Sequence, residues 1–166
     1  ALGHRNIGIL AGNQSQLVHQ LRLNCLLDLL RTHGLSCPDS YIMLPPLSWS
    51  PMRDGYLQLP QLLKRAPAIT AVMAFNDDVA QGAISAAIAM GLRVPQDLSV
   101  VGFDDFPGSA YLNPSLTTIR HQMREAGMLA AKSIAEVLKS NHQKALIRLS
   151  LPTELRIRNS TGVVRS

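Results

Sequence analysis

The sequence predicts an α/β fold built on a parallel, doubly wound sheet with helices on both faces. Three observations carry that prediction. Four short runs (7–11, 41–44, 69–75 and 98–103) are apolar nearly throughout, as strands covered on both faces must be. Segments of helical length and spacing separate them. The resulting strand–helix alternation calls for right-handed crossovers within a single sheet.

Taken in order, IGILA (7–11) is short and uncharged enough for a buried strand. LVHQLRLNCLLDLLRTHG (17–34) places Leu17, Leu21, Leu26, Leu29 and Leu30 at helical spacing. It stops at Gly34, whose tolerance of left-handed backbone suits the position just past a helix. YIML (41–44) is the second strand, closed by Pro45 and Pro46. A helix from about Pro51 to Arg65 carries Leu57, Leu59, Leu62 and Leu63; Pro60, which has no N–H, predicts a kink or a restart inside it.

ITAVMAF (69–75) is the third strand. Asn76 or Asp77 can cap the next helix, 78–90, which ends at Gly91. Its alanines (Ala80, Ala83, Ala86, Ala87 and Ala89) suit close packing on a sheet. LSVVGF (98–103) is the fourth strand. After Asp105 the pattern changes. A loop with Pro107, Gly108 and Pro114 leads to a short strand, LTTIR (116–120), and then to a helix of about 122–139. Two short strands near 146–150 and 154–158 flank Pro152. There is no internal repeat and no low-complexity segment.

Length and composition bound the function. A chain of 166 residues is one ordinary domain, and 46% hydrophobic against 16% charged residues excludes a disordered tail. No run approaches the roughly 18 uncharged apolar residues of a membrane span, so the expectation is a soluble chain without a membrane partner. The opening ALGHRNIGIL carries no secretory signal, and Cys25 and Cys37 fit neither a disulfide scaffold nor a CxxC site. A reduced cytoplasmic setting follows as the default. The net charge of +5 is unevenly placed: residues 1–119 hold seven basic and eight acidic residues, and the last 47 hold nine basic and three acidic. Those basic residues stand singly and without interleaved aromatics, which reads as a solvated face rather than a nucleic-acid footprint.

In open α/β sheets ligands bind beyond the carboxyl ends of the strands. Here those ends carry Gly12, Asn13, Gln14 and Ser15, then the loop with Trp49, then Asn76 and Asp77, then Asp104 and Asp105. Carboxylates and amides exchange hydrogen bonds with hydroxyls, and an indole face stacks on the C–H face of a sugar ring. Each has a structural alternative. Asn76 either caps its helix or meets a ligand, Asp77 is mostly a cap, Asp104–Asp105 is a ligand group or a turn, and Trp49 is a stacking face or a loop anchor. Arg22, between Leu21 and Leu23, reads on periodicity alone as a snorkelling surface residue. Five scattered histidines show no metal-ligand spacing, and no nucleophile elbow, phosphate loop or dinucleotide fingerprint appears. The expectation is therefore no metal, no cofactor and no catalytic residue. A hydrolase working through Asp77, Asp78, Asp104 or Asp105 is the enzymatic alternative.

Several segments together resemble the lactose-repressor/galactose-repressor (LacI/GalR) family of bacterial transcription regulators. They are ALGHRNIGILAG (1–12), AVMAFNDDVAQGAISAAIAMGLRVPQDLSVVGFDDFP (71–107), PSLTTIRHQMREAG (114–127) and LPTELRIRNST (151–161). The resemblance implies a periplasmic-binding-protein-like effector domain that binds a small molecule, a sugar or similar compound, and tunes the operator affinity of a homodimer. Arg22 falls on the family's effector-contacting arginine, which replaces its surface reading. Asn76 falls on the asparagine of the ND motif, Asp104 on the first aspartate of GFDD, and Trp49 on a pocket aromatic, with Asn13 and Asp77 as secondary candidates. The chain departs from the family at Cys25 and Leu26, where a glycine–aromatic pair is usual, at Pro60, and in a Trp49-to-Gly55 spacing one residue longer than usual.

The resemblance further implies that residues 1–120 form the C-terminal effector-binding subdomain, that 121–145 form a crossover helix whose partner is the N-terminal subdomain, and that 146–166 return to complete the first unit. A helix-turn-helix head, through which operator DNA would be bound, is not in this sequence. A periplasmic sugar-binding protein is the related alternative.

Overall fold

A computed structural model of the chain describes residues 2–45, 50–139 and 148–165. In chain order the elements are β1 (Ile7–Leu10), α1 (Leu17–Thr32), β2 (Ile42–Met43), α2 (Pro51–Arg65), β3 (Ala71–Ala74), α3 (Asp77–Ala89), β4 (Ser99–Asp104), β5 (Thr117–His121), α4 (Met123–Lys139) and β6 (Thr153–Arg156). They build one six-stranded sheet in the order β2-β1-β3-β4-β5-β6. Strands β1 to β5 run parallel, with Gly8 beside Val72, Val72 beside Val100 and Val101 beside Thr117. Only β6 is antiparallel, with Glu154 opposite Arg120.

The sheet is covered on both faces. On one, Leu23, Leu26, Leu27 and Leu30 of α1 pack on Ile7, Ile9 and Ile42. On the other, Leu59 and Leu62 of α2 and Val79, Ala80 and Ala83 of α3 close over Leu10, Val72 and Val100. Each large side chain removed from water in this way contributes about 1.5–3 kcal/mol before entropy is counted. The expected α/β doubly wound architecture is the observed one.

Details differ from the sequence reading. The face of α1 that meets the sheet is the i, i+3, i+4, i+7 set from Leu23, whereas Leu17 (68% exposed), Leu21 and Leu29 face outward. Leucines on both sides of the helix conceal which side is inner. Pro60 neither breaks nor restarts α2, which runs unbroken from Pro51 to Arg65. The second strand is only the pair Ile42–Met43. Of the strand expected at 146–150, residues 146 and 147 lie outside the described residues and 148–150 carry no strand.

Helices α1 and α3 stop where their glycines predict. Gly34 and Gly91 take left-handed backbone (φ +68° and +79°), and the N–H groups of Leu35 and Leu92 bond back to the Leu30 and Ala87 carbonyls. Helices α2 and α3 cross at backbone contact: a Cβ added to Gly82 would lie 1.9 Å from the Met52 carbonyl oxygen, and one on Gly55 would lie 2.1 Å from that of Val79. The C-terminal segment stitches the sheet. The buried Ser160 hydroxyl accepts from the Thr117 N–H and donates to the Val100 carbonyl. By contrast α4 has no buried residue, and its apolar stripe of Met123, Met128, Ile134 and Leu138 faces outward. Among the described residues no helix is long and apolar enough to cross a membrane.

Candidate functional site

The parallel strands end on one edge of the sheet, and polar groups gather there. Arg22, on the second turn of α1, donates from Nη1 to the Phe75 carbonyl just past β3, at 2.6 Å. Its guanidinium carbon lies 3.7 Å from the centre of the Phe103 ring and 4.6 Å from that of Phe75. A guanidinium stacks through its faces and donates through its edges, so this packing still leaves edge N–H groups to serve a ligand. Burial lowers the Arg22 pKa and the Asp104 carboxylate opposes that, so the group stays cationic. His19 completes the aromatic support. Its ring meets Phe75 edge-on at 4.0 Å, and its Nδ1 bonds the Asn13 carbonyl at 3.0 Å. Burial lowers its pKa against the raising effect of that hydrogen bond, so a neutral ring sits beside Arg22.

At the end of β4, Asp104 and Asp105 both adopt left-handed backbone, φ +118° and +56°. Non-glycine residues there cost on the order of 1–3 kcal/mol each and persist only where the surroundings hold them. Both carboxylates are held. Asp104 Oδ1 accepts from His121 Nε2 at 3.0 Å, at the end of β5. Asp105 Oδ1 accepts from Arg158 Nη2 at 2.6 Å, and Arg158 Nη1 donates to the Leu116 carbonyl at 2.7 Å. The Asp104 side chain is 17% exposed. Burial raises its pKa, the His121 hydrogen bond and the His121 and Arg22 charges pull it back, and Asp77 adds a further push upward. Its Oδ2 is left to accept from a hydroxyl. Beyond the two aspartates opens a crevice of about 620 Å³, bordered by Phe106, Arg120, His121, Gln122, Met123 and Arg124.

The remaining candidates divide. Asn76 is the helix cap: its Oδ1 accepts from the Val79 N–H at 2.9 Å, and its amide nitrogen is left over. Asp77, expected mostly as a cap, does not cap. It is 3% exposed, with Oδ1 accepting from Thr118 Oγ1 at 2.5 Å and Oδ2 from Ser109 Oγ at 2.5 Å and the Phe106 N–H at 2.9 Å. It ties α3 to β5 and to the loop after β4. Asn13 folds its side chain onto the Ser15 N–H at 2.9 Å, a local turn at the end of β1. Trp49 lies outside the described residues. The structure thus brings Arg22 and Asp104 together through Phe103, with Asn76 and Asn13 farther along the same edge.

His121 escaped the sequence reading. It is the last residue of β5, whose segment LTTIR is not one of the four apolar strands, and the carboxyl end of that strand leads straight to it. Among the described residues no group of three or more His, Cys, Asp or Glu side chains is placed to hold a metal ion. Of the carboxylates, Asp77 is bonded inside the core and Asp105 is ion-paired to Arg158.

Residues 1–161 match the family model of the periplasmic binding protein-like domain. The probable HTH-type transcriptional repressor ExuR of Bacillus subtilis is 32% identical over 95% of this chain and 46% of its own length. The chain belongs to the LacI/GalR family. Two solved LacI/GalR-type structures superpose closely. The complex of the transcriptional regulator CelR with cellobiose has a TM-score of 0.86 at 28% identity, covering 95% of this chain and 47% of that one. The Lac repressor dimer bound to operator and the anti-inducer ONPF has a TM-score of 0.84 at 32% identity, covering 97% and 54%. The chain spans about half the length of the curated LacI/GalR relatives it matches. Cys25 and Leu26 fall on α1 one turn past Arg22, where Leu26 packs toward the sheet and Cys25 is exposed.

Proposed function

We propose that this chain is the C-terminal, effector-binding portion of a transcriptional regulator of the LacI/GalR type, working in the cytoplasm. In this reading a sugar or similar polyol sits at the strand ends. Arg22 donates to its hydroxyls, Asp104 accepts from them, and His121, Asn76 and Trp49 complete the contact. Asn13 lies at the margin, and Asp77 sets the site from beneath. The observation that carries the reading is Arg22, drawn off the helix surface to stack on Phe103 beside the free oxygen of Asp104. Such an arrangement of donor, acceptor and aromatic suits neighbouring hydroxyls.

The rest of the machinery is proposed on the family relationship. Residues 1–120 are the effector-binding subdomain, 121–145 a crossover helix that packs on an N-terminal subdomain, and 146–166 the return. The ligand bridges the two subdomains and biases their closure, which changes the affinity of a homodimer for operator DNA through a helix-turn-helix head. The outward apolar face of α4 supports the crossover assignment, because a helix with that stripe needs a partner surface. No chemical step is assigned to the chain, and no metal or cofactor. A periplasmic sugar-binding role is not favoured, since the relatives are repressors.

The test is chemical-shift mapping of the isotope-labelled chain with ribose, galactose and cellobiose as probes. At least one sugar is expected to move the resonances of Arg22, Asp104 and His121 together and saturably. Shifts confined to other surfaces with every probe would refute the site.

A further inference from the structure

We propose that Asp105 is a positioning residue: ion-paired to Arg158, it holds the left-handed turn that aims the Asp104 carboxylate at His121 and the crevice. That Asp104 meets a ligand rests on the function proposed above; that Asp105 places Asp104 does not.

The two aspartates are adjacent and face different partners. Asp104 reaches His121 on β5, and Asp105 reaches Arg158 on the segment after β6. With both residues at positive φ, neither backbone is at rest without its side-chain tie. Arg158 is a firm anchor. Its Nη1 bonds the Leu116 carbonyl, its backbone N–H bonds Thr117 Oγ1 at 2.9 Å, and Ser160, two residues on, is locked between β4 and β5. On the far side of the turn, Asp77 fixes the Phe106 N–H and the Ser109 hydroxyl. The loop is thus pinned directly after Asp104 by two groups: Arg158 holds Asp105, and the buried Asp77 holds Phe106 and Ser109. If the Arg158 tie is cut, Asp105 is free to return to negative φ, and a rotation at Asp105 swings the neighbouring Asp104 carboxylate out of line with His121.

The 166-residue chain with carboxyl-labelled aspartate tests this by NMR titration of Asp104 in three variants. Asp105→Asn tolerates the same backbone but removes the charge. Arg158→Gln removes the other half of the pair. Asp105→Ala removes the tie and keeps a Cβ that disfavours positive φ. Asp104 is enclosed now, facing Arg22, His121 and Asp77. Displacement toward water is expected to lower its titration midpoint in all three variants, with the His121 ring resonances moving in step. A mere through-space charge effect would move the midpoint in opposite directions in Asp105→Asn and Arg158→Gln, and that result would overturn the proposal, as would a wild-type midpoint in Asp105→Ala. If one variant fails to fold, the other two still report from opposite sides of the pair. With ribose as probe, affinity is expected to fall on the order of tenfold in Asp105→Asn, in line with one misplaced charged hydrogen bond. If ribose binds none of the proteins, the wild type included, the sugar-binding reading suffers, while the titration still decides the role of Asp105.

Discussion

Arg22 and Phe103 stand on different layers of the fold, and the guanidinium of one rests 3.7 Å from the ring centre of the other. That stacking bridges α1 to the end of β4 and places a cation next to Asp104. A lysine cannot replace it, because an ammonium has neither a flat face for Phe103 nor a second edge beyond the Phe75 carbonyl. Arg22→Lys is expected to weaken sugar binding by roughly tenfold or more while changing unfolding free energy by less than about 1 kcal/mol. Calorimetric titration and a denaturant melt measure the two separately.

Asp77 shows the opposite profile. Its two oxygens accept three hydrogen bonds inside the core, and an asparagine would turn one of those acceptors into a donor aimed at donors. Asp77→Asn is expected to cost about 2–4 kcal/mol in urea unfolding, since buried charged hydrogen bonds are lost and their partners are stranded. A direct ligand contact would instead lower affinity and leave stability unchanged.

The crossing of α2 and α3 depends on Gly82. A methyl group there meets the Met52 carbonyl oxygen, part of a helix backbone that cannot bend aside locally. Gly82→Ala is therefore expected to destabilise the chain by about 2–3 kcal/mol, although alanine is the better helix former. A rise in stability in the urea melt would show that the helices are not in backbone contact.

Asp104 gives a pH signature. Burial raises its pKa in the folded chain, so the folded state binds protons more tightly than the unfolded one. Stability contributed by the protonated carboxyl is full below the ordinary carboxylate pKa and is lost as pH rises through the raised value. Asp104→Asn removes that loss. Relative to wild type, the variant is expected to gain stability between the ordinary and the raised pKa and to hold the gain at neutral pH, as polar binding groups often cost stability. Thermal melts across pH 3–8 read the difference; parallel curves would contradict the assignment of the shift.

The outward stripe of α4 predicts self-association of the isolated chain. Ile134 and Leu138 are 61% and 62% exposed, and apolar helix faces of this kind seek a partner. Sedimentation is expected to show concentration-dependent association that Ile134→Glu reduces. A monomer at all concentrations would count against it.

The fold was legible because β1, β3 and β4 are apolar on both faces and because Gly34 and Gly91 mark helix ends by backbone geometry alone. The site was legible only in part. Arg22 carries no local mark, since its purpose comes from Phe75 and Phe103, more than fifty residues away in sequence. Asp77 looks like a cap because its true partners, Ser109 and Thr118, lie thirty-two and forty-one residues on. His121 was hidden by its strand: Thr117 and Thr118 make β5 look polar, yet both are buried, because Ser160, Thr161 and Asp77 satisfy them. The break expected at Pro60 fails to occur for a related reason. The packing of Leu59 and Leu62 on the sheet holds α2 together across the missing N–H.

The most direct measurement is calorimetric titration of the wild-type chain and Asp104→Asn with the sugar that gives the largest shifts in the mapping experiment. The account predicts saturable binding by the wild type that is weaker than micromolar, because the chain supplies the contacts of one subdomain, and no detectable heat in a folded Asp104→Asn. Equal binding by the two proteins, or micromolar and tighter binding by the chain alone, would contradict it.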